Sequence, residues 1–323
     1  MDTFYEIKAG LLDKSALALG FFDGVHPGHQ VVIRKAVEEA ERLSAIPAVI
    51  TFKEHPRALT LGKSPPLLTT LSQRLELFAH WGVQAALVLS FTEELCRLDP
   101  EDYVRTVLVE AMGAKSLSVG FNHRFGRNRI GTPQLLAELG ASKFDYTVHV
   151  AEEVIIGGSE VSSSRIREAL LSGQTELATE LLRRPYSLLG RVIKGEGRGR
   201  TIGFPTANLA VVPELVVPAL GVYAGRAILQ DGTKHDCVIN IGVRPTFESE
   251  SRPVTEVHIF DFAQDIYEQV LQVELWKYLR PEQRFSGVDE LRGQIQQDAQ
   301  NARNYMSANP VSTRASTLNG LPA

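Results

Sequence analysis

The first half of the chain alternates short apolar runs with longer amphipathic stretches. Five runs have the length and composition of β-strands, and the first four are apolar enough to be buried on both faces. These runs are SALALGFF (15–22), IPAVITF (46–52), AALVLSF (85–91), SLSVGF (116–121) and FDYTVHV (144–150). The stretches between and after them predict helices near 29–43, 71–81, 101–112 and 164–172. This alternation predicts a doubly wound α/β domain with a parallel sheet, which binds ligands at the carboxyl ends of its strands.

The pattern changes at residues 184–186, just after a short helix predicted near 175–182. The strand-like segments that follow have glycine-rich turns and no helices between them. They are YSLLGRVI (186–193), VYAGRAIL (222–229), HDCVINIG (235–242), VTEVHIFDF (254–262) and QVLQVELWKYL (269–279). We therefore expect a small antiparallel β-barrel followed by a C-terminal helix from Val288 to about Tyr305. The predicted domains are 1–183 and 184–305, with a disordered tail over 306–323.

Composition limits the possible partners and surroundings. A chain of 323 residues favours two domains, and a net charge of -4 without a basic stripe argues against nucleic acid as a partner. Cys96 and Cys237 lie far apart, which argues against a disulfide framework or a structural zinc site. No signal peptide or membrane-length apolar run is present, so we expect a soluble, cytoplasmic protein that does not bind membranes. The oligomeric state cannot be read from the sequence.

Two histidines lie at the carboxyl end of the first predicted strand, in GFFDGVHPGHQ (20–30). Pro27 suits the first position of a helix, Gly28 leaves room for a ligand, and His29 projects from the opening turn. Such a helix start attracts phosphate, and His26 and His29 could stabilise developing negative charge there. Taken alone, the pair fits a turn with a surface histidine about equally well. A metal site would need further ligands, which this stretch lacks.

Later segments bring polar groups to the same predicted edge of the sheet. Asn122 lies in the loop GFNHRFGRNRIG (120–131), and the serine run 162–164 precedes a helix that carries Arg165 and Arg167. Serines at a helix start are usually caps. Here they would also bring hydroxyl, N–H and guanidinium groups to the edge where the histidines lie.

The second half contains a glycine-rich basic loop, KGEGRGRTIG (194–203). Such loops can wrap phosphates with backbone N–H groups but are as often flexible turns, and the chain has no GxxxxGK[ST] motif. In the motif FPTAN (204–208) that follows, Thr206 and Asn208 lie on one side of an extended segment. A hydroxyl and an amide carbonyl placed in this way could share a hard cation such as magnesium.

Glu256 lies within a predicted strand and shares one face of it with Val254 and His258. A lone carboxylate on a strand most often faces water. If its face lines the barrel, Glu256 could instead accept a proton during phosphoryl transfer.

Three motifs of the first half, GFFDGVHPGH, GFNHRFG and SSSRIR, resemble the HxGH nucleotidylyltransferase domain of bacterial bifunctional riboflavin kinase/FAD synthetases, over about residues 10–172. The resemblance implies that His26 and His29 contact the ATP phosphates in catalysis and that Asn122 holds ATP or its magnesium. It implies ATP binding by further residues of these motifs: Gly20, Phe22, Asp23, Gly28, Ser163 and Arg167. The chain departs from the family at Asn122-His123, where Asp-Phe is usual, and at Glu54, where Pro is usual.

The second half resembles the riboflavin kinase barrel over about residues 184–303, through GRTIGFPTANL, GVYAG, NIGVRPTF, TEVHIFDF and YLRPEQRF. The resemblance implies that Thr206 and Asn208 bind magnesium and ATP and that Glu256 is the catalytic base. It implies that the glycine-rich loop covers ATP through Lys194, Gly195, Gly197, Arg200 and Gly203. Arg280 and Phe285 are implied to border the flavin together with the closing helix. The chain departs from the family at Glu268, where a glycine is common.

Together the two resemblances imply a bifunctional enzyme that phosphorylates riboflavin to FMN and adenylylates FMN to FAD, with ATP as co-substrate and magnesium as cofactor. An HxGH adenylyltransferase for another substrate, such as pantetheine phosphate or nicotinamide mononucleotide, would leave GFPTAN unexplained. A class I aminoacyl-tRNA synthetase would need a KMSKS-like segment, which the sequence lacks. A non-catalytic flavin or nucleotide sensor would tolerate loss of Thr206, Asn208 or Glu256, and all three are present.

Overall fold

The computed structural model describes residues 1–55, 64–195, 197, 199, 202–243 and 253–310. Backbone contacts divide the chain into two compact units, Met1–Ser163 and Ser164–Ala323. The strands of the first unit are β1 (Asp2–Phe4), β2 (Ser15–Leu19), β3 (Ile46–Phe52), β4 (Ala85–Leu89), β5 (Ala114–Gly120), β6 (Thr147–Ala151) and the hairpin of β7 (Ile155–Ile156) and β8 (Ser159–Glu160). Its helices are α1 (Pro27–Leu43), α2 (Leu71–His80), α3 (Glu93–Arg97), α4 (Pro100–Tyr103) and α5 (Pro133–Leu139).

Among the described residues, strands β1 to β6 form one parallel sheet in the order β1-β4-β3-β2-β5-β6. Its strands are buried on both faces: Leu17 packs into an apolar cluster on one face, while the next residue, Ala18, packs with Ile33 of α1 on the other. The doubly wound parallel sheet predicted from the sequence is therefore confirmed. Because the strand order reverses direction between β2 and β5, the loops that follow these two strands lie at the position where such sheets bind ligands.

Several elements of the first unit differ from the prediction, and α3 and the β7–β8 hairpin are among those not predicted. β1 was not predicted, because a three-residue edge strand carries too little pattern to be recognised. α5 was also missed, although Thr132 caps it by accepting a hydrogen bond from the Leu135 N–H at 3.2 Å. The helix expected over 101–112 consists of α4 followed by a π-helical segment, Val104–Ala111.

Among the described residues, the second unit contains α6 (Ser163–Leu171) except its first residue, α7 (Thr175–Leu182), six strands and α8 (Val288–Ala308). The strands are β9 (Tyr186–Ile193), β10 (Ala207–Val211), β11 (Gly221–Ile228), β12 (Lys234–Val243), β13 (Pro253–Ile259) and β14 (Val270–Arg280). They form a closed antiparallel barrel in the order β10-β13-β12-β11-β14-β9, which confirms the predicted barrel. β10 is an addition to the predicted strands, and its pairing with both β9 and β13 closes the barrel.

The barrel is filled by alternate side chains of its strands, and α8 covers part of its outer surface. Tyr223, Ile239 and Val257 are fully buried, whereas Val238, one residue before Ile239, packs outside the barrel against Met306 of α8. The predicted tail was therefore placed too early, because α8 continues to Ala308 and Met306 is buried. The remaining tail residues, 311–323, lie outside the described residues.

The division of the backbone into units falls after Ser163, earlier in the chain than the domain boundary predicted after Arg183. The physical reason is that α7 packs on β9 and β14, and the Leu170 carbonyl of α6 accepts a hydrogen bond from the Ala219 N–H at 3.0 Å. The domain bounds 1–183 and 184–305 stay a prediction.

Candidate functional sites

The first candidate site is the corner between β2 and α1. Phe22 and Val25 have φ angles of 57° and 41°, and Gly24 has a φ angle of 80°. Positive φ is costly for a β-branched residue such as Val25, which is held there because its side chain is fully buried. α1 begins at Pro27, as predicted, with His26 as its N-cap in extended conformation. This backbone turns the start of α1 toward the ligand-binding edge of the sheet.

His26 and His29 lie against each other at this corner. Their ring centroids are 3.7 Å apart and their planes are inclined by 25°. A side chain on Gly28 would approach His26 Cε1 to 3.2 Å, so the glycine makes room for this ring as well as for a ligand. Burial, helped by His26 and Arg74, holds the pKa of His29 well below its usual range, so its imidazole is neutral near pH 7. The buried Nδ1 of His29 has no hydrogen-bond partner among the described residues.

Two of the residues expected to bind ATP, Phe22 and Asp23, are buried in this loop. Phe22 packs edge-on against His29 at 5.5 Å and would also contact any side chain placed on Gly20. Asp23 Oδ1 accepts hydrogen bonds from the backbone N–H groups of Leu68 and Thr69 at 2.9 and 3.1 Å. Both side chains thus shape the corner from beneath rather than facing into it.

Ser163 joins this corner from the far end of the first unit. Its Oγ donates a hydrogen bond to the Asp23 carbonyl at 3.0 Å, so the hydroxyl expected to bind nucleotide also holds the loop. Arg167 lies one helical turn further along α6, within the second unit. Its role in nucleotide binding stays a prediction.

Asn122 is exposed on the loop that follows β5, at the switch point beside β2. Its Oδ1 lies 3.6 Å from the position a Cβ would take on Gly120, which places the amide directly above the end of the strand. His123 stacks over Phe125 with a centroid distance of 6.0 Å, and burial lowers its pKa to about 4. A neutral imidazole therefore occupies the position where the resembling family has a phenylalanine ring.

Arg74 of α2 is not among the residues singled out from the sequence, yet it lies directly beneath the corner. Its side chain is fully buried, and Nη1 donates a hydrogen bond to the Phe21 carbonyl at 2.8 Å. A sequence signal was present, because Arg74 lies in the apolar stripe of α2 with Leu71, Leu75 and Phe78. A charged residue in such a stripe indicates a buried charge with a specific role.

The second candidate site is a cavity of about 440 Å³ on the outer surface of the barrel, within the size range of small-molecule sites. Thr206, Asn208, Glu256, Arg280 and Phe285 all line it, so residues predicted from separate motifs meet in one place. Ile295 and Asp298 of α8 line it as well, as expected for the closing helix.

Register across three neighbouring strands aligns the polar groups of this cavity. Glu256 of β13 pairs with Asn208 of β10 on one side and with Asn240 of β12 on the other. Glu256 is half-buried, while its neighbours Thr255 and Val257 point into the barrel. The face that carries Glu256 is therefore the outer face of the barrel, which corrects the idea that it lines the interior. The carboxylate still faces a cavity.

The glycine-rich loop borders the cavity in part. Of its described residues, Gly197 and Gly199 line the cavity, whereas Lys194, Gly195 and Gly203 do not. Gly195 has a different task, because a side chain there would collide with the amide of Asn208. Gly197 and Gly203 have φ angles of 72° and 89°, which favour glycine. Arg200, expected to bind ATP, lies outside the described residues.

Arg280, which also lines the cavity, is held by α8. Its Nη2 donates a hydrogen bond to Asp298 Oδ2 at 2.7 Å and its Nε donates to both carboxylate oxygens at 3.0 Å. Gln294 donates a further hydrogen bond to Asp298 at 2.9 Å, and the guanidinium lies 5.8 Å from the Phe285 ring centroid. Arg280, expected to border the flavin, thus also fastens α8 to the barrel.

Asn240, His258 and Asp298 line the cavity but were not predicted as site residues. His258 Nδ1 lies 2.8 Å from the Pro205 carbonyl, which fixes the FPTAN segment beside β13. Asn240 follows from the NIGVRPTF motif, whose residues 244–247 lie outside the described residues. Asp298 could have been noticed as a single acidic residue on the barrel-facing side of α8, one turn before Ala302.

Comparisons with known proteins cover nearly the whole chain. A family model described as FAD synthetase matches residues 9–165, and one described as riboflavin kinase matches residues 182–306. The bifunctional riboflavin kinase/FMN adenylyltransferase of Bacillus subtilis (strain 168) is 38% identical over 298 residues, which is 91% of this chain and 93% of that protein. The protein of the same description from Escherichia coli (strain K12) is 36% identical over 290 residues, covering 90% of this chain and 92% of its own.

A solved structure described as a macrolide-efflux protein from Streptococcus pneumoniae matches with a TM-score of 0.84 and 31% identity, over 94% of this chain and 99% of that one. The likeness therefore extends over both units. None of the described helices has the length and apolar composition needed to cross a bilayer.

Proposed function

The chain belongs to the family of bifunctional riboflavin kinases/FMN adenylyltransferases, and on this premise we propose how its residues divide the two reactions between them. Its C-terminal part is the riboflavin kinase and its N-terminal part is the FMN adenylyltransferase, in the order of the matched family models. Both reactions are transfers from ATP, so positioning and charge stabilisation supply most of the catalysis.

In the kinase, Glu256 acts as the general base. It accepts the proton of the terminal ribityl hydroxyl of riboflavin while that oxygen bonds to the γ-phosphorus and the bond from γ-phosphorus to ADP breaks. The observation that carries this assignment is the register of β10, β13 and β12, which places the Glu256 carboxylate between Asn208 and Asn240 in the cavity. The amides on both sides can orient the carboxylate and the incoming hydroxyl.

Thr206 and Asn208 are the residues that would hold magnesium in the kinase. Both line the cavity, and Asn208 is 6% exposed, so little of its side chain is left to bulk water. Among the described residues no three His, Cys, Asp or Glu side chains form a metal cluster, and magnesium in kinases typically binds few protein oxygens plus substrate phosphates. The hard oxygens of a hydroxyl and an amide fit that mode. When bound, the ion would neutralise charge on the phosphates of ATP.

The rest of the cavity divides between ATP and flavin. Gly197 and Gly199 lie on the side of Thr206, where their backbone can approach phosphates, and Lys194, Gly195, Arg200 and Gly203 belong to the same ATP-covering loop. Phe285 and Arg280 lie at the α8 side, where an aromatic ring and an ion-paired guanidinium can border the flavin ring system. Riboflavin would thus reach Glu256 from the α8 side and ATP from the glycine loop.

In the adenylyltransferase, the FMN phosphate attacks the α-phosphorus of ATP and pyrophosphate leaves. The neutral His29 and the adjacent His26 would donate hydrogen bonds to the phosphates at the start of α1, where the helix dipole also favours negative charge. Gly20, Phe22 and Asp23 would shape this corner. Gly28 leaves it open, and Asn122, Ser163 and Arg167 would complete nucleotide binding.

The proposed function is tested by incubating the purified full chain with riboflavin, ATP and magnesium and separating the flavins by chromatography. We expect FMN to form first and FAD to follow. Chelation of magnesium should stop FMN formation. FMN accumulation without FAD would contradict the proposed adenylyl-transfer site and leave the kinase assignment intact.

A further inference from the structure

Arg74 binds the ends of two neighbouring strands at once. Its Nη1 donates to the Phe21 carbonyl at 2.8 Å and lies 3.3 Å from Thr51 Oγ1, while Nη2 donates to the Phe52 carbonyl at 3.1 Å. Phe21 lies two residues beyond Leu19, the last residue of β2, and Phe52 is the last residue of β3. The guanidinium therefore joins the two strands at the edge of the sheet where ligands bind.

Arg74 also fixes aromatic side chains around the corner. Its guanidinium carbon lies 4.2 Å from the centroid of the Phe21 ring, which in turn meets the His55 ring edge-on at 4.8 Å. The next residue, Phe22, contacts His29 at 5.5 Å. A path of direct contacts therefore leads from Arg74 through the Phe21-Phe22 pair to His29.

Burying an arginine at this position costs desolvation free energy. Its acceptors are two carbonyl groups and a hydroxyl rather than a carboxylate, and desolvation lowers its pKa to about 10 despite the charge of Asp23. It stays cationic near neutral pH. An apolar side chain would pack α2 on the sheet without this desolvation cost. This desolvation cost is explained if two features of Arg74 serve the histidine corner: the guanidinium fork, whose Nη1 and Nη2 bind two carbonyl groups at once, and the positive charge.

We propose that Arg74 is a positioning residue for adenylyl transfer: it fixes the ends of β2 and β3 and thereby sets the place of His29 at the start of α1. This inference rests on the proposed function of the histidine corner. Because Arg74 is fully buried, it acts through the Phe21-Phe22 segment and does not touch the nucleotide. Burial is the main cause that lowers the pKa of His29, and the positive charge of Arg74 adds to it and to the effect of His26.

The test compares Arg74→Met, which removes fork and charge, with Arg74→Lys, which keeps the charge but loses the fork. Misplacement of reacting groups by about 1 Å costs roughly 100-fold, so we expect kcat for FMN adenylylation to fall about 100-fold in Arg74→Met. Arg74→Lys should fall about 10-fold, because only the alignment is impaired. In both variants kcat should change more than the KM for ATP, and riboflavin phosphorylation by the same chain should stay within about twofold of wild type.

Leu108→Ala is the matched control for a merely structural effect. Leu108 is fully buried in the apolar cluster on the sheet face opposite to α1, so its truncation destabilises the first unit without touching the corner. Adenylylation that falls in Leu108→Ala as much as in Arg74→Met, at equal loss of melting temperature, would overturn the proposal. Unchanged adenylylation in Arg74→Met would overturn it as well.

A second readout follows the His29 ring by NMR in the full chain without nucleotide. Loss of the nearby charge should raise the pKa of His29 in Arg74→Met and leave it near the wild-type value in Arg74→Lys and Leu108→Ala. An unchanged His29 titration in soluble Arg74→Met contradicts the charge effect. His29→Ala in the adenylylation assay separates a failure of the Arg74 proposal from a failure of the proposed function. If this variant forms FAD normally, the histidine corner is not the adenylyl-transfer site, whatever the result for Arg74.

Discussion

The histidine corner of the first unit lies on a loop with left-handed residues, whereas the cavity of the second unit is lined by neighbouring strands in fixed register. In the first unit, Asp23, Ser163 and Arg74 bind backbone carbonyl and N–H groups, and so set the loop that carries His26. In the second unit, strand pairing sets the position of Glu256 between Asn208 and Asn240. The histidine corner is thus a loop site, whose shape depends on distant side chains. The cavity with Glu256 is a ladder site, whose shape depends on strand pairing, and it should tolerate more substitutions around it.

The largest expected effect tests the ladder site. Replacing Glu256 by Ala removes the proposed base and should lower riboflavin phosphorylation by about 100-fold or more, the usual scale for a positioned base. FAD formation from supplied FMN should continue. Glu214→Ala, which removes an exposed carboxylate of the same unit, is the control and should leave both rates near wild type. A near-normal kinase rate in Glu256→Ala would reduce this carboxylate to a solvent-facing group.

The loop site is tested by His29→Ala. Loss of a preorganised hydrogen-bond donor costs about 100-fold to 1,000-fold, so FAD formation from FMN and ATP should fall by that factor while FMN formation persists. His80→Ala, at an exposed histidine of the same unit, serves as the control. Equal loss of both activities with the fold preserved would refute the division into two sites.

A third experiment asks whether the ladder site has any dependence on a distant side chain. Asp298→Ala leaves the Arg280 guanidinium without its buried carboxylate, and breaking such a pair costs about 3 kcal/mol. We expect urea unfolding followed by Trp276 fluorescence to shift to lower urea, with a higher KM for riboflavin. Gln296→Ala, at an exposed position in the middle of the same helix, should shift neither. Unchanged unfolding in Asp298→Ala would show that α8 is held by apolar packing alone.

The smallest effect concerns ion pairs within α1, the helix that begins at the histidine corner. Hydrogen bonds from Arg42 and Lys35 lower the pKa of Glu39 from 4.5 to about 2, and Glu39 lies 3.4 Å from His149 of β6. Because the folded state binds fewer protons than the unfolded state, ionised Glu39 stabilises the protein above pH 4.5 and this stability is lost as the pH falls toward 2.

Glu39→Gln should therefore remove about 1 to 3 kcal/mol of stability at pH 7 and flatten the loss between pH 4.5 and 2. Unfolding followed at several pH values measures both effects. Glu38→Gln changes the neighbouring exposed carboxylate and should behave like wild type. A variant at Glu39 with the wild-type pH profile would show that its ion pairs do not stabilise the folded protein.

Periodicity was enough to predict the two architectures, because buried strands of a parallel sheet and alternating barrel strands leave strong patterns in the sequence. It missed β1 and β10, which owe their existence to a partner strand rather than to their own residues. The same limit applies to the sites. Glu256 was found by its motif, but whether its face lay inside or outside the barrel depended on the whole barrel. Arg74 belongs to no motif, and its proposed role became visible only from its hydrogen bonds to the Phe21 and Phe52 carbonyls.

The three residues of β1 have a consequence for handling the protein. They pair with Ala85 to Leu87 of β4, whose side chains are almost fully buried, and so cover the free rim of the parallel sheet. Removing residues 2–4 would expose a flat apolar strand with unsatisfied N–H and C=O groups, which is a ready template for intermolecular pairing. An expression tag that pulls these residues away would therefore favour aggregation, although they belong to neither candidate site.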